Sequence, residues 1–241
     1  QHMEKNNLKL PELRVVICGG SAMPRSMIKA FDDMGIEVRH AWGMTEMSPL
    51  GTVGALQGQF AHLKGDAKLD VLQMQGYAPF MVEMKITDDA GKELPWDGKT
   101  FGRLKVRGPA ISGSYFRVKD NILDENGFFD TGDVATIDEY GYMRITDRSK
   151  DVIKSGGEWI SSIDLENLAV GHPAVAEAAV IGIHHPKWDE RPLLIVQLKQ
   201  GQKASREDIL KFMDGKIAIW LMPDDVAFVD GIPHTATGKI L

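Results

Sequence analysis

A single cysteine, Cys18, stands among 241 residues. One thiol builds neither a disulfide framework nor a thiolate metal cage, so a cystine-stapled secreted scaffold and a zinc–thiolate site are both excluded. Long hydrophobic runs are missing as well: nothing approaches the roughly 18 consecutive apolar residues of a membrane-spanning helix. Positive charge is scarce, with 28 Lys and Arg against 34 Asp and Glu and a formal net charge of −6. That balance argues against a nucleic-acid or polyanion surface, while leaving room for a local basic pocket around a nucleotide. His172, His184 and His185 offer no ligand spacing for zinc, and His172 and His184 sit before turns ("GHPA", "IHHPK"). The phosphate loop G-x-x-x-x-G-K-[ST] is absent too. Its best match, "PHTATGKIL", has Pro233 where the first glycine belongs and Ile240 where the hydroxyl should follow Lys239.

What is present is an ordinary globular mixture. Hydrophobic residues make up 43% and charged residues 26%, enough for a sizeable core and too balanced for wholesale disorder. No secretory leader is evident, so the cytoplasm is the expected compartment. Cys18 in "RVVIC" is expected as a small buried hydrophobe, and the 12 methionines as core or pocket filling.

The amino-terminal portion alternates strand and helix signals. "LRVVIC" is an apolar β-branched run, "GGSAMP" a turn, "RSMIKAFDDMG" a helix opened near Pro24 and stopped by Gly35, and "IEVRHAW" a second strand. Together they predict a βαβ unit over about 8–60, with loops at the carboxyl edge of a parallel sheet. From about 70 to 146, period-two alternation broken by Gly, Asp and Asn predicts an antiparallel sheet or small barrel. After a charged junction near 147–151 come a helix capped by Ser161 or Ser162, two buried-looking strands, and a capped helix in "SREDILKFMDGKI". The expected architecture is therefore α/β plus α+β. Residues 1–147 end a layered sheet with its β subdomain, and 148–241 form a compact, mobile α+β domain truncated at its end.

Several loops carry groups suited to one chemistry. "AWGMTE" offers an aromatic face in Trp42, a hydroxyl in Thr45 for a phosphate oxygen, and a carboxylate in Glu46 for a hard cation such as Mg²⁺. "FFDTGDVA" sets Asp133 in a predicted tight turn, where a carboxylate either accepts two ribose hydroxyls or caps its own backbone. In "DRSKDVIKSGGEWISS", Arg148 presents a fork of donors, while Gly156 and Gly157 permit close backbone approach. Each loop taken singly also reads as a plain strand end, turn or solvated linker, and Lys239 as a surface lysine.

Taken in order, "VVICGGSAMP", "AWGMTE", "FGRLKVRGP", "TGD", "DRSKDVIKSGGEWISS", "HPAVAEAAVIG" and "PHTATGKI" resemble the successive motifs of the adenylate-forming superfamily. "GMTEMSPLGT" and "DRSKDVIKSGGEWISSIDLEN" are most similar to its medium- and long-chain fatty acyl-CoA synthetases, the branch that includes methylmercaptopropionate-CoA ligases. The resemblance implies an AMP-forming ligase: a carboxylic acid and ATP give acyl-AMP, and the thiol of coenzyme A then displaces AMP, with Mg²⁺ as the metal. It implies that Gly20, Ser21, Trp42 and Gly43 border the adenine and acyl pockets, and that Thr45 touches the α-phosphate. Glu46 would hold Mg²⁺, Asp133 and Arg148 the ribose, and Gly156, Gly157 and Trp159 the pantetheine route. Lys150 would be the pivot of the tail, and Lys239 the lysine that bridges carboxylate and α-phosphate.

Three departures qualify the match. The family's phosphate loop of the form "SGTTGxPK" is not in these residues, so the chain is expected to be the carboxyl-terminal portion of a longer enzyme and inactive in adenylation by itself. Trp42 replaces a common tyrosine. Arg103 replaces a usual glutamate, in a strand expected to be structural. An adenylation domain loading a carrier protein, and a non-catalytic nucleotide-binding module, are the alternatives. Self-association is left open.

Overall fold

A computed structural model describes residues 5, 6, 8, 10–236 and 240 of the chain. The strand–helix–strand unit is present as β1 (Val15–Gly19), α1 (Arg25–Asp33) and β2 (Glu37–Gly43). β1 and β2 run parallel, in register from Val15↔Glu37 to Gly19↔Ala41. Pro24 precedes α1 at φ −58°, the value its ring imposes and a helix start accepts. A strand not foreseen in the sequence, β3 (Leu50–Val53), pairs antiparallel with β2 and makes the sheet mixed. α2 (Gly65–Leu72) then covers it, and Leu69 and Leu72 close a core with Met23, Ile28 and Val38. Cys18 is half-buried against that core instead of fully buried, and burial raises its thiol pKa.

The alternating segment forms β4 (Glu83–Thr87), β5 (Gly102–Arg107), β6 (Phe129–Ile137) and β7 (Met143–Arg148). These strands make an antiparallel meander in that spatial order, an open sheet rather than a barrel among the described residues. Its inner face (Met84, Ile86, Leu104, Val106, Ala135, Ile137, Met143) shares one core with Trp42 and Met47 of the first sheet. That shared core fixes the two sheets relative to each other. Arg103 makes a cross-strand ion pair with Asp130 at 2.9 Å, in keeping with a structural place.

The tail comprises β8 (Ile153–Ser155), β9 (Glu158–Ile160), α3 (Ser162–Val170), β10 (Val175–His185), β11 (Asp189–Leu198), α4 (Arg206–Met213) and β12 (Asp225–Phe228). The sheet order is β10-β11-β8-β9, with β12 parallel on β11. Both helices begin at serine caps. Ser161 accepts the N–H of Asp164, and Ser205 forms a reciprocal box with Asp208, each cap contributing about 1 kcal/mol. Ile153, Leu165, Leu194, Ile209 and Met213 are fully buried at the centre of this third core.

Between β7 and β8 the chain turns sharply, the N–H groups of Asp151 and Val152 both donating to the Arg148 carbonyl. α3 is seated on the end of β7 by three bonds. Ser161 Oγ donates to the Thr146 carbonyl at 2.6 Å, Ser162 N–H donates to Asp147 Oδ2 at 3.0 Å, and Arg144 pairs with Asp164 at 2.6 Å. Among the described residues no helix is long and apolar enough to cross a membrane.

Candidate active site

A cleft of about 1030 Å³ opens between the first two sheets and the tail sheet. Gly20, Ser21, Trp42 and Gly43 line it from the carboxyl ends of β1 and β2, the edge at which parallel strands present their loops. Asp133, Asp147 and Arg148 line it from β6 and β7, and Lys150 from the junction. The tail contributes a largely apolar wall that includes Val180, Ile181, Ile195, Val229 and Ile232.

Asp133 is the best-secured polar group of the cleft. It lies within β6, opposite Arg148 of β7, and not in the free turn that "DTGD" suggests. Gly132, at φ 71°, kinks the strand just before it, and Thr131 Oγ1 accepts the Asp133 N–H at 3.1 Å. The side chain is only 5% exposed, and its Oδ1 is 3.0 Å from Arg148 Nε. Its Oδ2 accepts the indole N–H of Trp42 at 2.9 Å in a buried bond. A carboxylate taken this far out of water needs such charge-assisted partners.

The Trp42 ring has little of its flat face left for a purine. It is 8% exposed and covers Gly51, where an added Cβ would fall 2.4 Å from the ring. Gly43, next along, is required by close approach, since a Cβ there would lie 1.8 Å from the Pro49 carbonyl oxygen. The loop after β1 is braced by His40, 2% exposed, whose ring nitrogens lie 3.3 Å from the Ser21 carbonyl and 3.2 Å from that of Gln73. Burial lowers the pKa of that imidazole, and the neutral ring donates to one of the two carbonyls.

Thr45 and Glu46 occupy a 3₁₀ turn, Thr45–Met47, pinned into the shared core by buried Met47, and neither lines the cleft. The Glu46 carboxylate accepts the Tyr115 hydroxyl at 2.7 Å, and its backbone carbonyl accepts Ser112 N–H at 2.7 Å. The loop after β5 is thereby tied to this turn. Nothing in "SGSYFR" marks Tyr115 in advance.

Gly156, Gly157 and Trp159 are brought together, but away from the cleft, at the β8–β9 hairpin. The two glycines turn at φ 60° and 88°, and Gly156 lies against Trp188, whose ring an added Cβ would approach to 2.8 Å. Lys239 lies outside the described residues. Thr235 and Ile240, near it in sequence, line the same cleft as Asp133.

Sequence reasoning passed over four carboxyls of the cleft, Asp147, Asp151, Glu166 and Glu190, of which two are shifted by burial. Asp147 accepts the N–H groups of Ser162 and Arg148, and burial raises its pKa. Glu166 accepts the Val180 N–H at 2.9 Å, and burial, reinforced by the charge of Asp147, pushes it up to about 7. His172, in contrast, packs edge-on against Phe212, and His185 accepts the N–H groups of Lys187 and Trp188 in a hairpin turn.

Two family models cover most of the chain: "AMP-binding enzyme" matches residues 1–116, and "AMP-binding enzyme C-terminal domain" matches residues 164–239. The chain belongs to the AMP-binding enzyme family. This family member is 53% identical, over its whole length, to 3-methylmercaptopropionyl-CoA ligase of Ruegeria lacuscaerulensis, covering 45% of that protein. It is 46% identical to a medium-chain-fatty-acid–CoA ligase of Ectopseudomonas oleovorans, covering 98% of the chain and 43% of the relative. The chain thus spans a little under half the length of these curated relatives. Among solved structures, o-succinylbenzoate CoA synthetase from Bacillus subtilis, in complex with its acyl-adenylate intermediate, superposes with a TM-score of 0.84 at 28% identity, covering 100% of this chain and 47% of that one.

Proposed function

We propose that the chain is part of an ATP-dependent carboxylate–CoA ligase acting on a fatty or similar aliphatic acid, forming acyl-AMP and then the acyl-CoA thioester. The observation that carries the reading is the buried Asp133 carboxylate, held by Trp42 and Arg148, at the head of a cleft whose far wall includes Thr235 and Ile240, residues that flank Lys239 in sequence. Its relatives are CoA ligases, and one of the solved structures similar to it is a CoA synthetase in complex with ATP and a magnesium ion.

In this reading Asp133 accepts the ribose hydroxyls. Gly20 and Ser21 border the adenine and acyl groups, and Thr45, whose turn follows the cleft-lining Gly43 and Met44 without itself lining the cleft, is assigned to the α-phosphate. Lys239 lies between the carboxylate of the acid and that phosphate, lowering the repulsion of two anions as they meet. Residues 148–241 then turn about Lys150, carrying Lys239 away and bringing Gly156, Gly157 and Trp159 to line the path of the pantetheine thiol. The hairpin's position off the cleft accords with the first half-reaction.

Glu46 is the carboxylate this reading assigns to Mg²⁺; it lies off the cleft wall, and one of its oxygens accepts the Tyr115 hydroxyl. No cluster of three or more His, Cys, Asp or Glu suited to a metal exists among the described residues, and Mg²⁺ habitually takes one or two carboxylates with phosphate and water completing its shell. When bound, the ion supplies positive charge that offsets the phosphates of ATP. Coenzyme A and the acid complete the substrates, and the cytoplasm is the proposed compartment. The apolar tail wall suits an aliphatic chain better than a charged acid.

The test is a spectrophotometric screen of acids from propionate to palmitate, with ATP, Mg²⁺ and CoA, on the longer enzyme. Turnover of aliphatic acids is the expected result, and turnover confined to aromatic or amino acids would overturn the substrate class. Residues 1–241 by themselves are expected to give no carboxylate-dependent ATP–pyrophosphate exchange.

A further inference from the structure

We propose that Trp42 is a positioning residue for Asp133: its indole N–H holds the carboxylate in the orientation that receives the ribose hydroxyls. The inference rests on the nucleotide reading above and departs from a stacking role for the ring. The bond from Trp42 Nε1 to Asp133 Oδ2 is 2.9 Å long and buried. The indole is confined, because Gly51 lies against the ring, Met47 shares its core, and Gly43 fixes the backbone beside it through close approach to Pro49. Arg148 takes the other carboxylate oxygen, but its side chain is 48% exposed and adjoins the junction turn. Of these two partners, Trp42 is the rigid one. Its bond holds one carboxylate oxygen and with it the rotation of the carboxylate about its Cβ–Cγ bond. The bond also spans β2 and β6, so the orientation of Asp133 is referred to the parallel sheet whose loops line the rest of the cleft.

Stacking and positioning have different consequences. A stacking ring strengthens binding of every adenine nucleotide alike. A ring that orients Asp133 strengthens binding only where ribose hydroxyls are present to be received.

The experiment titrates the chain calorimetrically with AMP and with 2′,3′-dideoxy-AMP, as wild type, Trp42→Phe and Asp133→Ala, with near-UV circular dichroism to verify the fold. The wild type is expected to prefer AMP about tenfold. In both variants the preference should fall below about threefold, while Trp42→Phe leaves the affinity for the dideoxy nucleotide within about twofold of wild type. A tenfold preference retained in Trp42→Phe, or equal weakening of both ligands, would overturn the inference and leave the nucleotide reading intact. No AMP binding, or no ribose preference, in the wild type would overturn the nucleotide reading and the inference with it. Should Trp42→Phe fail to fold, benzothienylalanine placed at position 42 keeps the bicyclic ring without the N–H. It is expected to lose the preference in the same way, and retention there would overturn the inference equally.

Discussion

Asp133 and the Gly156–Gly157 hairpin are 23 residues apart in sequence, yet one lines the cleft and the other is turned away from it. The difference lies in how each is held. Asp133 is fastened from three sides by Thr131, Trp42 and Arg148, and its strand packs into a core shared by two sheets. The hairpin belongs to a sheet with its own core, joined to the rest by the turn after Arg148 and by the bonds of α3 to β7. In the proposed function, the group that meets a ribose in one fixed orientation is built into the rigid side. The groups proposed for a later step ride on a body that one turn and a few hydrogen bonds restrain.

The largest expected effect separates the two steps directly. In the longer enzyme, Lys239→Ala should slow acyl-AMP formation by about 10² or more, the scale of a lost transition-state charge contact. Thioester formation from supplied acyl-AMP should stay within about twofold, as rapid-quench assays of each half-reaction would measure. Equal losses in both halves would abolish the division of labour.

Gly43→Ala tests the rigid side. The added Cβ would fall 1.8 Å from the Pro49 carbonyl oxygen, so backbone must move. Urea unfolding should register a loss of about 3 kcal/mol, in the range of forced overpacking. A loss under about 1 kcal/mol would mean that the turn before Thr45 is softer than its geometry implies.

Glu166 tests the tail side through pH. Its folded pKa is raised to about 7 from 4.5, so the folded chain keeps a proton that the unfolded chain releases. The associated stability is complete below the unfolded value and is lost as pH rises through about 7, a span of at most about 3 kcal/mol. Glu166→Gln should therefore flatten the fall in urea midpoint between about pH 5 and pH 8. An unchanged slope would place the titrating carboxyl elsewhere, with Asp147 the next to examine.

The smallest expected effect is at the hairpin. Gly157 takes φ 88° with nothing within 4 Å of an added Cβ, so Gly157→Ala should cost only about 1 kcal/mol of backbone strain in the same unfolding assay. Its contrast with Gly43 separates a glycine needed for conformation from one needed for space.

Local signals carried the fold furthest where one residue sufficed to act. The β-branched run before the first turn, Pro24 before α1, and Ser205 at the second tail helix stand where the sequence places them, and of the two candidate caps for the first tail helix Ser161 is the one used. β3 and β12, four residues each, were not legible, because their places depend on strands elsewhere in the chain. α2 opens without a side-chain cap and buries only Leu69 and Leu72, so its helical signal is faint. "DTGD" has turn chemistry, yet pairing with β7 draws Asp133 into a strand, a tertiary demand outweighing a local preference. The site followed the same rule. Its residue types could be read in order, but Tyr115 reaching Glu46 across 69 positions and Trp42 reaching Asp133 across 91 exist only in the folded chain.

The central claim is that Asp133 heads a nucleotide cleft. Calorimetric titration of the chain and of Asp133→Ala with a non-hydrolysable acyl-AMP mimic tests it most directly. Binding by the wild type, weakened at least about tenfold by the substitution with the fold intact, is the predicted result. Equal affinity in the two proteins, or no binding by either, would contradict it.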